Sequence, residues 1–521
     1  MNLFLKRTHI SSHIIIVLLL IIGGCNDRVD LPDNSTPIDE VDKFISSFDS
    51  SLVSVKDEFE SIFMENVSFS MTSLQYDSLK ELSFKIYPKN KNSIVDTFTV
   101  SYSKEYISSN FFYDLIEKKI TLPIFGLYDA HMNTVLISSK FNNGKKWEKT
   151  INIETELFSY SDNNNVSVFN PSSKIDFTYM YINTDPGPMI MDIEGNVRWA
   201  ADEFLDKTKP KSLYLDNHFY CVSRSTPINE LIKLGFNGSQ DTVSVDIGDY
   251  PGAGFHHDMA FGPNGFLIEL NIRDGSEFIK RGSVLIETDV KGKLLQTWDM
   301  DEIIGRYLIE SNVPVETFIR NATNNDKALD WFHMNNALYD ERDNSVLMSS
   351  RENFVIKVGY DDKEIKWILG DTTKFWYTID TLRHYAIHLE DGNINIGQHS
   401  LSILENGELL MYNNGDNSTV PFFPKDKLGL LHSNSMISSY KIVEQEKRAK
   451  ESFHLELPFF APNRGSVQKN GSTYLTTSLP EEAGYNSLIN IYDDKQNLLL
   501  EIKNYSYFCN SVEKFSHILE F

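Results

Sequence analysis

Short segments in which hydrophobic and polar residues alternate run through most of this chain, and Asn, Asp, Gly and Lys separate them. Alternation with a period of two is typical of β-strands with one buried face. Six such segments between residues 67 and 154 are FSMTSL, LSFKIYP, TFTVSYS, KKITLPIFGLY, NTVLISSKF and KWEKTINIE. We therefore predict a small immunoglobulin-like β-sandwich over residues 66–165. Upstream, within residues 26–65, apolar residues at helical spacing over 38–64 predict one helix.

A second pattern begins near residue 169 and repeats to the end of the chain. Its unit is an aliphatic strand, a tight turn containing Asp, Gly, Asn or Lys, and a return strand. Six copies occur: MIMDIEGNVRWA, LIKLGFNGSQDTVSV, LIETDVKGKLLQTW, VIKVGYDDKEIKWIL, SYKIVEQEKRAKESFHLEL and INIYDDKQNLLLEI. A second hairpin precedes most copies: GPNGFLIEL, DERDNSVLMSS, ENGELLMYN and QKNGSTYLTTS.

Two hairpins per repeat make a four-stranded sheet, and six sheets leave about 58 residues for each. We therefore predict an all-β protein in which a six-bladed β-propeller occupies residues 166–521. The last segment, NYSYFCNSVEKFSHILEF, is predicted to supply the strand that closes the ring against the first blade. A β-helix or two sandwiches would not produce six paired hairpins.

Length and charge narrow the function. The chain has 521 residues, of which 41% are hydrophobic, so it is globular rather than disordered. Its formal net charge of −24, with no cluster of Lys and Arg, excludes a general nucleic-acid binder. An anionic substrate would require cationic groups concentrated in one site.

The first 25 residues resemble an export signal. Lys6 and Arg7 precede an apolar run at 14–22 that is too short to span a bilayer. The small residues before Cys25 resemble a bacterial lipobox, which implies cleavage before Cys25 and acylation of its thiol. The polar segment NDRVDLPDNSTP suits a tether. We predict an exported, membrane-anchored lipoprotein that faces the periplasm or the cell surface, with an ordinary cleaved signal peptide as the alternative.

Two cysteines, Cys221 and Cys509, lie in the predicted exported part. A disulfide is possible in an oxidising compartment, but cysteines so far apart in sequence carry no spacing signature. Free buried thiols are an equally good interpretation.

Histidines occupy equivalent positions in three consecutive repeats. His256 and His257 open the predicted innermost strand of the third blade, His333 that of the fourth and His399 that of the fifth. Innermost strands line the central channel of a propeller, so these side chains should converge. Arg351 follows the second strand of the fourth blade, where the chain could return to the channel.

Neighbouring residues are candidate ligands of a substrate. Asp258 and Asn335 follow the histidines closely, and Phe255, Trp331 and Trp376 could supply aromatic walls. A single histidine at the start of a blade strand is more often a structural hydrogen-bonding residue. The shared register in three blades favours a functional site.

Several ordered motifs now carry a resemblance to a known family. HHD followed by PNG, DWFHMN, SSR eighteen residues after the histidine, WILGD, and GQHS followed by NG and YNNG resemble the bacterial aryl-sulfate sulfotransferase family over about residues 169–478. The resemblance implies an exported six-bladed propeller that moves a sulfuryl group from a phenolic sulfate ester to a phenol by ping-pong transfer. It implies no nucleotide sulfate donor, no cofactor and no metal.

The resemblance also implies roles for individual residues. The histidine of GQHS, His399, would be the nucleophile, which forms a sulfohistidine intermediate. His333 and Arg351 would bind the sulfuryl oxygens, and either His256 or His257 would contribute beside them. Counting back from the Asn-Gly turn favours His257, whereas alignment with FHMN favours His256, so both remain candidates.

Elementary chemistry agrees with these roles. Because the sulfuryl group carries a negative charge, its transfer requires an uncharged nucleophile and fixed cationic or N–H donors around its oxygens. Expected partners are a phenolic sulfate donor, a phenolic acceptor and the membrane, and a homodimer is a further option. The alternatives are a metal-dependent propeller lyase acting on acidic sugars and a non-catalytic ligand-binding propeller. The guanidinium of Arg351 beside the histidines argues against a bound cation.

Overall fold

Alternating segments of the sequence form antiparallel strands in the computed structural model. It describes residues 53–55, 61–159, 164–168, 175–185, 187–201, 208–223, 229–250, 252–274, 277–320, 329–417, 429–481 and 484–521. The predicted signal segment, Cys25 and most of the predicted helix over 38–64 lie outside these residues. Within that helix prediction, Val53–Val55 is instead a strand.

Two sheets form the N-terminal part. One has the strand order β1 (Val53–Val55), β2 (Met64–Ser70), β6 (Lys119–Phe125) and β5 (Tyr113–Asp114). The other includes β4 (Phe98–Ser103), β3 (Leu79–Ile86), β7 (Met132–Phe141) and β8 (Lys146–Glu154). Short helices α1 (Ser73–Ser78) and α2 (Lys104–Ser109) connect them. The rings of Phe84 and Phe98 contact that of Phe125 across the two sheets, while the immunoglobulin-like assignment stays a prediction.

Six further sheets each contain four antiparallel strands, which are consecutive in the chain in every sheet but the first. The first has β10 (Tyr179–Thr184), β11 (Pro188–Asp192), β12 (Val197–Ala200) and β34 (Cys509–Phe515). The second has β13 (Thr208–Leu215), β14 (His218–Ser223), β15 (Glu230–Gly235) and β16 (Gln240–Ser244). The third has β17 (Gly254–Phe261), β18 (Phe266–Asp274), β19 (Glu277–Thr288) and β20 (Leu294–Asp299).

The remaining three sheets follow the same plan. The fourth has β21 (Met334–Asp340), β22 (Ser345–Ser350), β23 (Phe354–Gly359) and β24 (Ile365–Gly370). The fifth has β26 (His399–Ile403), β27 (Leu409–Asn413), β28 (Met436–Val443) and β29 (Arg448–Glu456), with β25 (His388–Asp391) parallel to its outer edge. The sixth has β30 (Ser466–Asn470), β31 (Thr473–Ser478), β32 (Ser487–Asp493) and β33 (Leu498–Asn504), with β9 (Asn164–Val168) at its outer edge.

The sheets close into a ring, which confirms the predicted six-bladed propeller. Consecutive innermost strands contact one another from β13 through β17, β21, β26 and β30 to β34. The closing strand pairs with the first blade as predicted, with Val512 opposite Ile182. Long connections carry the helices α3 (Met300–Glu310) and α4 (Asp380–Arg383), a π-helix at Glu316–Arg320 and a 3-10 turn at Phe375–Thr378. A second 3-10 turn, Glu444–Glu446, joins β28 to β29.

The first blade and the final strand of the chain both contact the N-terminal sheets. The final strand, β35 (Ile518–Glu520), runs parallel to β4. Fully buried Arg198 on β12 donates to the carbonyl oxygen of Gly126 and to the hydroxyl of Tyr179, and its guanidinium lies 3.6 Å from the ring centre of Tyr128. The propeller therefore includes β9, which begins at Asn164, and gives its last strand to the N-terminal sheet.

Cys221 and Cys509 are both free and buried. Burial raises the pKa of each thiol. Each cysteine therefore behaves as a small apolar core residue.

No helix within the described ranges is long and apolar enough to cross a bilayer.

Candidate active site

The central channel contains a cavity of about 660 Å³, and strands from all six blades line it. His256, His257 and His399 are on its wall, so histidines that are far apart in sequence share one cavity. The predicted candidates Phe255, Asp258 and Asn335 also line it.

The strands that carry these histidines are irregular at the level of the site. The pairing register shifts in each of them, between Phe255 and Met259, between Met334 and Asn336, and between His399 and Ser402. A β-bulge redirects side chains and leaves backbone groups outside the ladder. These irregularities lie at or next to the histidines and leave backbone N–H groups that need acceptors outside the ladder.

Glu269 on β18 supplies such an acceptor. One of its carboxyl oxygens accepts hydrogen bonds from the backbone N–H groups of His257, at 3.3 Å, and of Asp258, at 3.0 Å. Burial, with the carboxylate of Asp258 nearby, raises the pKa of Glu269 to about 8. Glu269 therefore fixes the backbone of the HHD segment.

His257 and His333 form a hydrogen-bonded pair. Their Nε2 atoms lie 3.0 Å apart, and the Nδ1 atom of His333 lies 2.9 Å from a carboxyl oxygen of Asp330. Because Asp330 accepts the proton of His333 Nδ1, a neutral His333 ring presents an Nε2 lone pair, to which His257 Nε2–H can donate. His257 is open to the cavity, but the surrounding channel walls desolvate its ring. This desolvation, followed by the neighbouring charges of His333 and His399, lowers the pKa of His257 well below its usual range.

His256 completes a compact cluster of three rings. Its ring centre lies 4.1 Å from that of His257 and 5.0 Å from that of His333. A side chain at Gly282, which has a φ of +52°, would come within 2.5 Å of the His256 ring. His256 thus packs against β19 and is less exposed than His257, although both rings line the cavity. One nitrogen from each of the three rings lies within 4.8 Å of the others, so this cluster could also hold a metal ion.

His399 is held in one tautomer by two acceptors. Its Nδ1 lies 2.7 Å from the side-chain oxygen of Asn414 and 3.1 Å from the carbonyl oxygen of Gly397. Neither group can donate to Nδ1, so the ring proton is on Nδ1 and the lone pair is on Nε2. Burial and then the charge of Arg351 lower the pKa of His399 to about 3. His399 is therefore neutral at physiological pH and has a lone pair on Nε2.

Asn414 is itself fixed by two carbonyl groups. Its side-chain nitrogen donates to the backbone oxygens of Ala461, at 2.8 Å, and Arg464, at 2.6 Å. Both donors are used, so the side-chain oxygen can point only toward His399. Asn414, at the start of the loop after β27, thus orients the ring of His399.

Asn414→Leu should therefore lower kcat roughly a hundredfold, because the His399 ring loses the acceptor that selects its tautomer. Asn414→Asp keeps that acceptor and should retain clearly more activity than the leucine variant. Steady-state kinetics with an aryl sulfate would measure both, and thermal unfolding would show whether the two variants are equally folded. Equal loss in both variants would contradict the tautomer argument.

Arg351 is connected to His333 through the backbone. Its N–H donates to the carbonyl oxygen of His333 at 3.2 Å, which explains why the two residues lie eighteen positions apart at the ends of one hairpin. The guanidinium is only 4% exposed and binds Glu352, at 2.9 Å, and Asp416, at 2.7 Å. It thus has a fixed orientation close enough to lower the pKa of His399.

A second buried cation lies behind Arg351. Lys374, with 3% exposure, donates to the backbone oxygen of Glu352 at 2.7 Å. Burial lowers the pKa of Lys374 to about 8. Arg351 and Lys374 are therefore two buried cations that both lie next to Glu352.

A polar layer lies along the same channel. Asp258 pairs with Lys211 at 2.6 Å and accepts a hydrogen bond from Asn336, which links the second, third and fourth blades. Asn335 instead donates to the carbonyl oxygen of Gln398 at 2.8 Å. Asp258 and Asn335 thus connect blades as well as line the cavity.

Two predicted aromatic candidates lie elsewhere. Trp331 and Trp376 belong to a hydrophobic core cluster with residues of α3 and β21 to β24. Their indole nitrogens donate to Asp301, at 2.7 Å, and to the carbonyl oxygen of Asp371, at 3.0 Å. Their exposure is 1% and 0%, so we correct the prediction that they form substrate-binding walls. Long connections pack these large rings inward because that removes more apolar surface from water.

Three supporting residues were not identified from the sequence. Asp330 and Asn414 occur inside the motifs DWFHMN and YNNG, and Glu269 is an acidic residue in the apolar strand FLIELNI. A charged residue in an otherwise buried strand is a signal that could have singled out Glu269.

The family model described as Arylsulfotransferase (ASST) matches residues 149–503. Arylsulfate sulfotransferase AssT of Lelliottia amnigena is 22% identical over 397 residues, and the protein of the same name from Escherichia coli O6:H1 is 23% identical over 403 residues. Each match covers 57% of this chain and 64% of the relative, so the chain spans less than two thirds of their length.

Solved structures with similarity to the chain include a β-propeller domain and a periplasmic gluconolactonase. The β-propeller domain of Cps50 (Swd1), named for Myceliophteria thermophila, is 10% identical, with a TM-score of 0.32 and coverage of 65% of this chain and 89% of that one. The periplasmic gluconolactonase PpgL of Pseudomonas aeruginosa is 10% identical, with a TM-score of 0.31 and coverage of 74% and 97%. Because the family model matches more than half of the sequence, the chain belongs to the arylsulfotransferase family.

Proposed function

We propose that this protein transfers a sulfuryl group from a phenolic sulfate ester to a phenolic acceptor through a covalent intermediate on His399. The observation that carries the proposal is the arrangement of His399, whose Nδ1 is held by Asn414 and Gly397 while its Nε2 keeps a lone pair. The low pKa of about 3 keeps this ring uncharged. Family membership supports the same reaction class.

The first half-reaction forms one bond and breaks one. Nε2 of His399 attacks the sulfur of the donor, an N–S bond forms, and the S–O bond to the aryl group breaks with its electron pair on the departing phenolate oxygen. The phenolate then takes up a proton. His333 and Arg351 are the proposed binding groups for the sulfuryl oxygens, because fixed donors stabilise the charge that develops on them.

The second half-reaction reverses these steps with another phenol. The acceptor gives up its proton, its oxygen attacks the sulfur, and the N–S bond returns its electron pair to Nε2 of His399. The pair of His257 and His333 is the proposed proton carrier, since their Nε2 atoms lie 3.0 Å apart and can share one proton. The proton released by the acceptor thus replaces the proton taken by the previous leaving group.

The test is intact-protein mass spectrometry after brief exposure to 4-nitrophenyl sulfate in the presence of EDTA. We expect a gain of about 80 Da, the mass of one SO₃ unit, that disappears when phenol is added. Nitrophenol release should show a burst equal to the enzyme concentration when no acceptor is present. The absence of both an adduct and nitrophenol release across several aryl sulfates would overturn the proposal.

The cluster of three histidines supports one alternative function. The nitrogens of His256, His257 and His333 are close enough together to hold a divalent metal ion, as a metal-dependent lyase would require. Under that function, EDTA should abolish activity and a metal salt should restore it. Full activity in EDTA would exclude it.

The proposed nucleophile makes a prediction about pH. Because the pKa of His399 is lowered to about 3, its ring stays neutral far below the ordinary histidine pKa of about 6.5. Between about pH 7.5 and pH 5.5, the rate of adduct formation should therefore show no decrease caused by protonation of His399. Rapid-quench measurements under single-turnover conditions would test this, and a tenfold fall per pH unit below about 6.5 would contradict it.

We further propose that the chain is an exported lipoprotein anchored through an acylated Cys25, on the basis of its N-terminal sequence. Cys25→Ser should move the full-length protein from the membrane fraction to the soluble fraction after cell lysis and should remove the acyl mass. An unchanged distribution would leave the ordinary cleaved signal peptide as the better interpretation.

A further inference from the structure

A second guanidinium reaches the active-site cavity. Arg464 lines the cavity together with His257 and His399, and its side chain is 38% exposed. Arg351, by contrast, is almost fully buried and is paired with two carboxylates. The proposed reaction uses Arg351 for the sulfuryl group and leaves Arg464 without a role.

The turn that presents Arg464 is built at a conformational cost. Arg464 has a φ of +59° and Gly465 a φ of +102°. A β-carbon at Gly465 would come within 2.6 Å of the ring of Tyr412, so only glycine fits this close approach. Non-glycine residues rarely adopt the left-handed region, and those that do are often found at functional sites.

A single residue, Asn414, connects this turn to the proposed nucleophile His399 through hydrogen bonds. The carbonyl oxygen of Arg464 accepts from Asn414, and Asn414 accepts from Nδ1 of His399. The position of Arg464 relative to His399 is therefore fixed by two short hydrogen bonds. Its side chain lines the same cavity as His399.

The charge of Arg464 is only loosely paired. Its Nη1 lies 3.3 Å from both carboxyl oxygens of Asp185, longer than the 2.7 to 2.9 Å or so that is typical of charge-assisted bonds. Within the described part of the chain, Nη1 is the only nitrogen of the Arg464 guanidinium that has a hydrogen-bond partner. The guanidinium carbon lies 4.9 Å from the ring centre of Phe508, which supports one face. Donors thus remain for an anion that enters from the cavity.

We propose that Arg464 binds a second anionic substituent on the aromatic ring of the substrate, such as a carboxylate or sulfonate, and so selects acidic phenols. The inference rests on the proposed sulfuryl transfer and adds the class of substrate that is preferred. The substrate would then lie between two cationic groups. Its anionic substituent would bind Arg464, and its reacting end would lie at Arg351 and His333. A planar guanidinium suits such a group because two parallel N–H donors match its two oxygens.

The test is equilibrium binding, which does not depend on turnover. Isothermal titration calorimetry would compare 4-hydroxybenzoate with 4-hydroxybenzamide, which has the same shape and no charge, on the wild type and Arg464→Gln. We expect the wild type to bind the benzoate about tenfold more tightly than the amide, and Arg464→Gln to lose this preference. Arg464→Lys should keep part of it. Lys514→Gln provides a control cation on the cavity wall whose Nζ is turned toward Asp176, 3.7 Å away.

The outcomes separate this inference from the proposed function. Equal affinity of the wild type for benzoate and amide, or a preference that survives in Arg464→Gln, overturns the role of Arg464. Rate measurements with the same acceptors should show the difference in KM rather than in kcat, because Arg464 binds a part of the substrate that does not react. Tight, Arg464-dependent binding of the benzoate without sulfation of any phenol would support the anion site and overturn sulfuryl transfer.

Discussion

Replacement of His399 by alanine is expected to lower turnover of an aryl sulfate by at least about three orders of magnitude. The variant loses the atom that would form the N–S bond, so the reaction would require direct attack of the acceptor on the donor. The mass adduct should vanish at the same time, and the burst of nitrophenol should vanish with it. Product formation under single-turnover conditions and intact mass measure these effects independently.

A matched histidine elsewhere in the propeller serves as the control. His454 on β29 lies 3.3 Å from Glu451, is partly exposed, and belongs to the outer edge of the fifth blade. His454→Ala should retain the adduct and nearly all of the activity. An adduct of unchanged mass on His399→Ala would show that another residue is the nucleophile and would contradict the central assignment.

The propeller could be predicted because its signals are local. Each blade consists of two hairpins with a period-two pattern and Asn-Gly or Asp-rich turns. Both properties depend only on residues that are contiguous in sequence. The edge strands β9, β25 and β35 could not be predicted in the same way. Their pairing depends on which open sheet edges meet in space, as when β25 joins β29 in parallel.

Much of the candidate site was predictable because equivalent positions of successive blades converge on the channel. That symmetry brings His257, His333 and His399 together irrespective of their distance in sequence. Their partners depend instead on bulges and turns that alter the direction of single side chains. Glu269 and Asn414 act through such local geometry, and a strand pattern does not encode it.

Arg351 differs from the histidines because it has both a proposed catalytic role and a structural one. Arg351→Gln should lower kcat roughly a hundred- to a thousandfold, since a fixed cationic donor to the sulfuryl oxygens is lost. It should also destabilise the fold by about 3 kcal/mol, because buried Glu352 loses its ion-pair partner at 2.9 Å. Steady-state kinetics and urea unfolding would measure the two effects separately.

A double variant distinguishes these two roles. Arg351→Gln combined with Glu352→Gln removes the buried charge together with its partner, so most of the lost stability should return. Activity should stay low, because no cation is restored beside His399. Arg351→Lys should be stable and of intermediate activity, since an ammonium keeps the charge but not the planar fork. Recovery of activity in the double variant would mean that Arg351 acts only by stabilising the fold and does not bind the sulfuryl group.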